Sequence, residues 1–392
     1  MILAHKIQLD PNRKQRTYFA KAAGTARFAY NWALKEWIKQ SEAGEKVTES
    51  SLRRQLNAIK KKEYPWMLEV TKCSPQLAIM NLGQAFANYY NGKAGHPKYH
   101  KKGRHDSFEI SNDQFKLSGN TIRIPNLGWV RMTEELRFSG KIIGAAVSRR
   151  ADRWFVSVQV EMPYADPTHT NAGENQAVGV DLGLYYLVTL SDGTSITGKK
   201  PHKALLSRLR RLNKSLSHKQ GAKKGEEKSK NFIKAQGKTA RLHARIANIR
   251  SDETHKLTSM LTQKYSIIGI EDLNVSGMAQ NRRLARSVMD MSFSEFRRQL
   301  TYKSKITGSR IVTANRFYPS SKICSICGSK REEELPLSIR IWNCQECKAC
   351  HDRDRNAAVN LRNYAVSYTV SACGELVEVI TSEKQELNIK AG

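Results

Sequence analysis

Five cysteines crowd into residues 324–350, and four of them form two Cys-x-x-Cys pairs, Cys324/Cys327 and Cys344/Cys347, with 16 residues between the pairs. Two such knuckles at this spacing suit one zinc ion held tetrahedrally by four thiolates. With every position filled by protein, no place is open for water or substrate, so the expected zinc is structural and not catalytic. A lone Cys-x-x-Cys reads first as a redox pair, but two at this distance argue against it. Cys350 is either an alternative ligand or a free thiol beside the second knuckle, and Cys73 and Cys373 read as lone thiols. An odd total of seven, grouped in this way, argues for a metal site in a reducing cytoplasm over a disulfide framework.

Three acids sit at the edges of apolar elements. Asp181 interrupts AVGVDLGL, where a carboxylate in mid-sheet is costly unless it holds a cation or a partner. Glu271 ends SIIGIE in the same way. Asp354 falls in the first turn of a helix inside HDRDRNAA, where it competes with Asp352 for any role and could be an N-cap. Each alone is weak, but acids 90 and 83 residues apart in sequence can converge if their elements are neighbours. Converging carboxylates repel, so such a site usually holds divalent metal, and hard oxygen ligands suit magnesium or manganese. Two such ions about 4 Å apart activate water on one side of a phosphate and stabilise the leaving oxygen on the other.

The elements that must position these residues lie in a strongly basic chain. Lys and Arg number 66 against 36 Asp and Glu, a formal charge of +30 over 392 residues. A field of that size favours a polyanionic partner such as a phosphate backbone. In such a chain the acid constellation argues phosphodiester hydrolysis. The opening MILAHKIQLDPNRKQ shows no secretory leader, and no apolar run is long enough for a membrane span, so a cytoplasmic protein without membrane contacts is expected.

Residues 2–9 alternate as a strand. Helical spacing follows over 12–40, 48–62 and 75–91, and strand-like, basic sequence resumes from about 93, so a helical block is inserted into a sheet or barrel begun by the first strand. A polar, turn-rich linker near 161–176 leads to AVGVDLGLYYLVTLSDG, two buried strands and a tight turn. Residues 199–250 hold 17 Lys and Arg, two acids, and leucines at helical spacing (Leu205, Leu209, Leu212, Leu216). One apolar stripe with basic faces elsewhere suits a helix that docks on a core and lines a channel for phosphates. A buried strand at 266–272, a basic amphipathic helix over 281–305, a strand at RIVTANRFY and a helix from Asp354 complete the order of a ribonuclease-H-like α/β core.

GVDLGLYYLVTLSDG, GIEDLNVSGM, LARSVMDMSFSEFRRQLTYKS, RFYPSSKICSICG and CHDRDRNAAVNL occur in this order across 175–365. In these motifs the chain resembles TnpB, the RNA-guided nuclease family of bacterial insertion sequences, related to type V CRISPR effectors. The N-terminal half resembles it more loosely, through the opening strand, FAYNWAL and GHPKYHKK. The resemblance implies a multidomain α+β fold. A wedge β-barrel covers 1–10 and 93–165, with a helical recognition domain inserted at 11–92 and a linker at 166–175. A RuvC-like nuclease domain spans 176–315 and 351–370, with the basic segment 199–250 within it. A zinc ribbon is inserted at 316–350, and a tail covers 371–392. It also implies catalytic, Mg2+- or Mn2+-binding acids at Asp181, Glu271 and Asp354, and zinc ligands at Cys324, Cys327, Cys344 and Cys347.

The family's partners are a guide RNA from the transposon end and double-stranded DNA, cut in both strands next to a short transposon-associated motif. Pairing between guide and target carries the sequence information. Expected nucleic-acid contacts are Arg208, Arg211, Lys214, Arg241, Arg245 and Arg250 on the basic segment, and Asn356 and Arg355 near the scissile phosphate. Tyr30, Trp32, Lys98 and Lys101 are places to look for readers of the adjacent motif, and Asn274 and Ser292 read equally as structural. The chain departs from the family at Lys348, where glycine is common, and at Cys350 before His351. The expected setting is the bacterial or archaeal cytoplasm, at the nucleoid, as a monomer or loose dimer. A nuclease-inactive, RNA-guided repressor is the alternative reading, and it predicts loss of at least one acid, whereas all three are present. A zinc-bearing DNA-binding protein would leave Asp181 and Glu271 unexplained. A strand-transferring transposase could use similar chemistry, but the resemblance counts against it.

Overall fold

A computed structural model describes residues 1–162, 176–219, 228–333, 336 and 339–373. The chain divides into two compact units, Met1–Tyr164 and Ala165–Gly392. The linker expected over 166–175 and the tail beyond 373 lie outside the described residues.

In the first unit, strand β1 (Ile2–Asp10) buries His5, Ile7 and Leu9 on one side, the two-residue alternation of a half-covered strand. Pro11 follows it, and Asn12 starts helix α1 (Arg13–Glu42) with a capping box. The Asn12 side chain accepts from the Gln15 N–H, and the Gln15 side chain accepts from the Asn12 N–H, each at 2.9 Å. Thr48 and Ser51 begin α2 (Glu49–Glu63) in the same manner, and α3 (Cys73–Tyr90) follows. The chain then lays down β2 (Ser107–Ser111), β3 (Lys116–Ser118), β4 (Thr121–Ile124), β5 (Gly128–Met132), β6 (Lys141–Arg150) and β7 (Arg153–Glu161). These join β1 in one seven-stranded antiparallel sheet, ordered β2-β6-β7-β1-β5-β4-β3. Phe19 of α1 packs at its core against Phe108 and Trp154.

The expected barrel is corrected to an open sheet: β2 and β3, its edges, share no ladder. After Ser111 the chain turns through Asn112–Gln114, and the three-residue β3 pairs with β4 along one edge and with no other strand among the described residues. Closure requires a continuous ladder across that gap.

In the second unit, β8 (Ala177–Asp181), β9 (Val188–Leu190) and β10 (Ser195–Ile196) lead to α4 (Pro201–Ala204), α5 (Leu206–Ser217) and the 35-residue α6 (Lys230–Lys264). Then come β11 (Ile267–Ile270), α7 (Val275–Gln280), α8 (Ala285–Met291), α9 (Phe293–Thr307), β12 (Arg310–Thr313), β13 (Ile341–Asn343), β14 (Cys350–Asp352) and α10 (Arg353–Cys373). The single helix expected over 281–305 is broken at Ser292, whose left-handed backbone (φ 55°) separates α8 from α9. Leu205, Leu209 and Leu212 of the predicted stripe pack on Leu242 and Ile246, so α5 docks on α6.

Five strands form the sheet of this unit in the order β10-β9-β8-β11-β12, with β8, β11 and β12 mutually parallel. Alternation divides its residues between two faces. Val178, Val180, Ile268 and Ile270 pack with Leu257 and Leu261 of α6 and Phe293, Phe296 and Leu300 of α9. Ile267 and Val312 pack with Ala365 of α10 on the opposite face. Among the described residues no helix is long and apolar enough to cross a membrane.

Candidate active site and metal centre

The register of β8 against β11 pairs Gly179 with Gly269 and Val180 with Ile270. The next residues along both strands are Asp181 and Glu271, so the two acids leave neighbouring parallel strands at the same level. Period-two alternation puts both side chains on the face of Gly179 and Gly269, the face that α10 covers. That helix lies unusually close. A Cβ at Gly179 would meet the Ala358 carbonyl oxygen at 1.8 Å, and one at Gly269 would meet the Leu361 carbonyl oxygen at 2.3 Å. Asp354 is one turn, about 6 Å, before Ala358, and Asp181 is two residues, about 7 Å, beyond Gly179. The glycine pair thus brings the first turn of α10 to the strand ends.

Asp181 feels both of the other acids. Burial pushes its carboxyl well above the ordinary carboxylate range, the charges of Glu271 and Asp354 push it further, and Arg353 and Arg340 oppose them. Burial also raises Glu271, against a hydrogen bond from Ser320 and the charge of Arg353. Each of these last two carboxylates is held by its own donor: Ser320 Oγ donates to Glu271 Oε1 at 2.5 Å, and Arg340 Nη1 donates to Asp354 Oδ1 at 2.8 Å and Oδ2 at 3.1 Å. Asp352 does a different job. Its Oδ1 accepts from the Arg355 N–H at 2.9 Å, the N-cap bond of α10.

A cleft of about 740 Å³ opens beside Glu271, lined by Asp272, Arg297, Arg298, Lys305 and Arg316 among others. Asp272 orients two of these cations, accepting from Arg297 Nη1 at 2.5 Å and Arg316 Nη2 at 2.8 Å, and these guanidinium groups lower its pKa. The arrangement offers an acidic centre for a cation next to a basic wall for a polyanion.

The cysteines Cys324, Cys327, Cys344 and Cys347 have sulfurs that all lie within 4.8 Å of one another, the only group of three or more candidate ligands this close among the described residues. Cys324–Cys347 and Cys327–Cys344 are each 3.6 Å apart. A zinc–sulfur bond of about 2.3 Å gives a tetrahedral edge of about 3.8 Å, so four thiolates fit a structural zinc ion. Cys350 is exposed and outside this group. The two knuckles repeat one backbone pattern. Gly328 N–H donates to Cys324 O at 2.9 Å with φ 77°, and Lys348 N–H donates to Cys344 O at 3.1 Å with φ 58°. Lys348 therefore occupies a left-handed position that favours glycine.

Among the expected nucleic-acid contacts, Arg208, Arg211 and Lys214 on α5 and Arg241 and Arg245 on α6 are exposed, as are Lys98 and Lys101 in the first unit. Arg250 is half-buried and donates to the Met289 carbonyl at 2.5 Å. Two expectations are corrected. Asn356 is 2% exposed, with its amide donating to the Ile323 carbonyl at 2.7 Å and accepting from the Ser325 N–H at 2.9 Å, so it is committed to the fold. Tyr30 is 6% exposed and stacked on His100, with ring centroids 3.8 Å apart, which leaves no free face for a base on that side. Trp32 packs against the core of the first unit, and Asn274 caps α7.

Gly179, Gly269, Ser320 and Arg340 escape a reading by residue type. The glycines stand two positions before each strand acid, in GVD and GIE, and that shared spacing is the signal that could have found them. Ser320 and Arg340 carry no local signal.

A family model described as "Probable transposase" matches residues 155–282, "Cas12f1-like, TNB domain" matches 293–361, and "Helix-turn-helix domain" matches 1–46. In this chain the last region is a strand and a single long helix. The "Putative RNA-guided DNA endonuclease" of Streptomyces pristinaespiralis is 35% identical, over 95% of this chain and 91% of that protein. The "Putative RNA-guided DNA endonuclease InsQ" of Escherichia coli (strain K12) is 31% identical, over 98% and 96%. The fold is similar to the protein in the cryo-EM structure of a Cas12f1-sgRNA-target DNA complex (TM-score 0.52, 15% identity, 89% of this chain and 83% of that one). Identity of this order across nearly the whole length places the chain in the TnpB family.

Proposed function

We propose that this protein is an RNA-guided DNA endonuclease that cleaves phosphodiesters at Asp181, Glu271 and Asp354. The observation that carries the reading is the shared level of Asp181 and Glu271 on adjacent parallel strands, with the first turn of α10 drawn over them by Gly179 and Gly269. Three hard carboxylate donors, one of them raised in pKa by burial and then by the other two, fit magnesium or manganese. Bound there, such an ion would supply the positive charge that activates water and offsets charge developing on the phosphate. Asp181, Glu271 and Asp354 would hold it, while Arg297 and Arg316, oriented by Asp272, would bind the phosphate backbone in the cleft. The exposed cations of α5 and α6 would follow the RNA–DNA duplex by its shape. A zinc ion on the four cysteines would be structural. The names of the two relatives supply the RNA guide and the DNA target. We further propose that the guide is a transposon-end RNA, that the target lies beside a short transposon-associated motif, and that the chain is organised as a wedge, a RuvC-like core and a zinc ribbon. Membership of the TnpB family supports this reading.

The test is magnesium-dependent cleavage of a plasmid library randomised beside the target. The protein is purified with its flanking transposon-end RNA and run next to Asp181→Ala, Glu271→Ala and Asp354→Ala. The expected result is guide-dependent cutting lost in all three variants with RNA binding kept. Full cutting by Asp354→Ala would break the three-acid site, and guided binding without cutting by any form would favour a repressor.

A further inference from the structure

The segment between β12 and the first knuckle touches both Glu271 and α10, the helix that begins beside Asp354. Ser320 is 4% exposed, and its hydroxyl donates to Glu271. A serine hydroxyl on a free loop turns readily, so a fixed bond requires a fixed backbone, and here that backbone is held from α10. Asn356 and Asn360 stand four residues apart, on one face of that helix, and both donate to the Ile323 carbonyl at 2.7 Å. Asn360 also donates to the Ser320 carbonyl at 2.7 Å, and Asn356 accepts from the Ser325 N–H at 2.9 Å. Cys324, between Ile323 and Ser325, has its sulfur 3.0 Å from His351 Nε2. Two asparagines 2% and 3% exposed are an expensive way to fill space, since apolar side chains would pack without losing water. What they add is a defined position for the loop backbone.

We propose that Ser320 is a positioning residue for Glu271, held in place by Asn356, Asn360 and the first cysteine knuckle, so that this loop sets the affinity of the acid site for its divalent cation. The inference rests on the reading of the acids as a cation site. Through it, order at the cysteine cluster reaches a carboxylate more than fifty residues earlier in the chain. Ser320 touches no substrate in this account; it fixes the rotamer of the residue that holds the ion, the part outer-shell partners play at metal sites.

The experiment titrates manganese(II) into the zinc-loaded full-length protein and follows free ion by electron paramagnetic resonance. Zinc content and melting temperature are recorded for every variant. Ser320→Ala should weaken manganese binding about tenfold, with zinc retained and the melting temperature little changed. Ser320→Thr, which keeps the hydroxyl, should recover most of the loss. In a Glu271→Gln background Ser320→Ala should cause no further loss, because the group it positions has changed. Unaltered affinity in Ser320→Ala, failure of threonine to recover it, or an undiminished effect in the Glu271→Gln background overturns the proposal. A wild-type titration identical to that of Asp181→Ala would instead overturn the cation-site reading itself.

Discussion

The cysteine cluster and the acid site use the same kind of instruction, ligands placed by spacing, over very different distances. The four cysteines lie within one short stretch, and each knuckle closes on its own backbone bonds, Gly328 to Cys324 and Lys348 to Cys344. The acids come from two strands and a helix, and nothing local to any one of them brings the others near. Their meeting depends on a strand register and on the seat of α10 across Gly179 and Gly269. A local site answers to the loss of a ligand, whereas a non-local one answers to changes in packing far from any ligand.

The largest effect is therefore expected where no ligand is touched. Gly179→Ala places a methyl 1.8 Å from the Ala358 carbonyl oxygen, and backbone cannot yield as a side-chain tip can. The strand and helix must separate, at a cost of about 4 kcal/mol or more in unfolding free energy. Urea unfolding measures it, and an unchanged midpoint would show that α10 does not lie on the strands as described. Cys324→Ser ranks second. Zinc binding should fall from stoichiometric to a small fraction, with about 3 kcal/mol lost and folded yield reduced. Full zinc retention in Cys324→Ser would remove that residue from the ligand set and bring Cys350 or His351 forward.

Acidity separates the two regions next. Burial and mutual repulsion raise Asp181 above its unfolded value, and burial raises Glu271. A raised carboxyl stabilises the folded protein fully below the unfolded carboxylate range and loses that contribution as pH climbs through the folded pKa. Without divalent ions, stability should therefore fall from mildly acidic toward neutral pH, by up to about 1.4 kcal/mol per pH unit for each such group. Asp181→Asn should flatten the fall, and added manganese should offset it by binding the folded form. An equal slope in wild type and Asp181→Asn would show that neither burial nor its acidic neighbours raise Asp181.

What the sequence disclosed follows the same division between local and non-local. The knuckles were legible because their spacing is their geometry. The helices over 12–40, 48–62 and 75–91 were legible because a 3.6-residue period and side-chain caps act within a turn or two. Asp181 and Glu271 stood out as carboxylates in apolar runs, but their common level is a property of register, which no single strand encodes. Closure of the first sheet was misjudged for that reason, since the number of strands does not say whether the last pairs with the first. The burial of Asn356 and Tyr30 was not legible because it is set by neighbours from other parts of the chain, Ile323 and Ser325 for the first and His100 for the second. Gly179 and Gly269 look like weak points of a strand until the helix above them is known.

The smallest effect compares the knuckles with each other. Each places the residue after its second cysteine in the left-handed region, glycine at 328 and lysine at 348. A side chain there costs about 1 kcal/mol relative to glycine, partly returned by the greater freedom glycine has when unfolded. The Lys348 ammonium also donates to the Gln345 carbonyl at 2.7 Å, an exposed bond worth little. Gly328→Ala should therefore destabilise the zinc-loaded protein by about 1 kcal/mol, and Lys348→Gly should stabilise it by somewhat less. Chelator-driven zinc release gives the same ranking kinetically, fastest for Gly328→Ala and slowest for Lys348→Gly. A loss of stability in Lys348→Gly would mean that the lysine side chain, and not the backbone turn, holds the second knuckle.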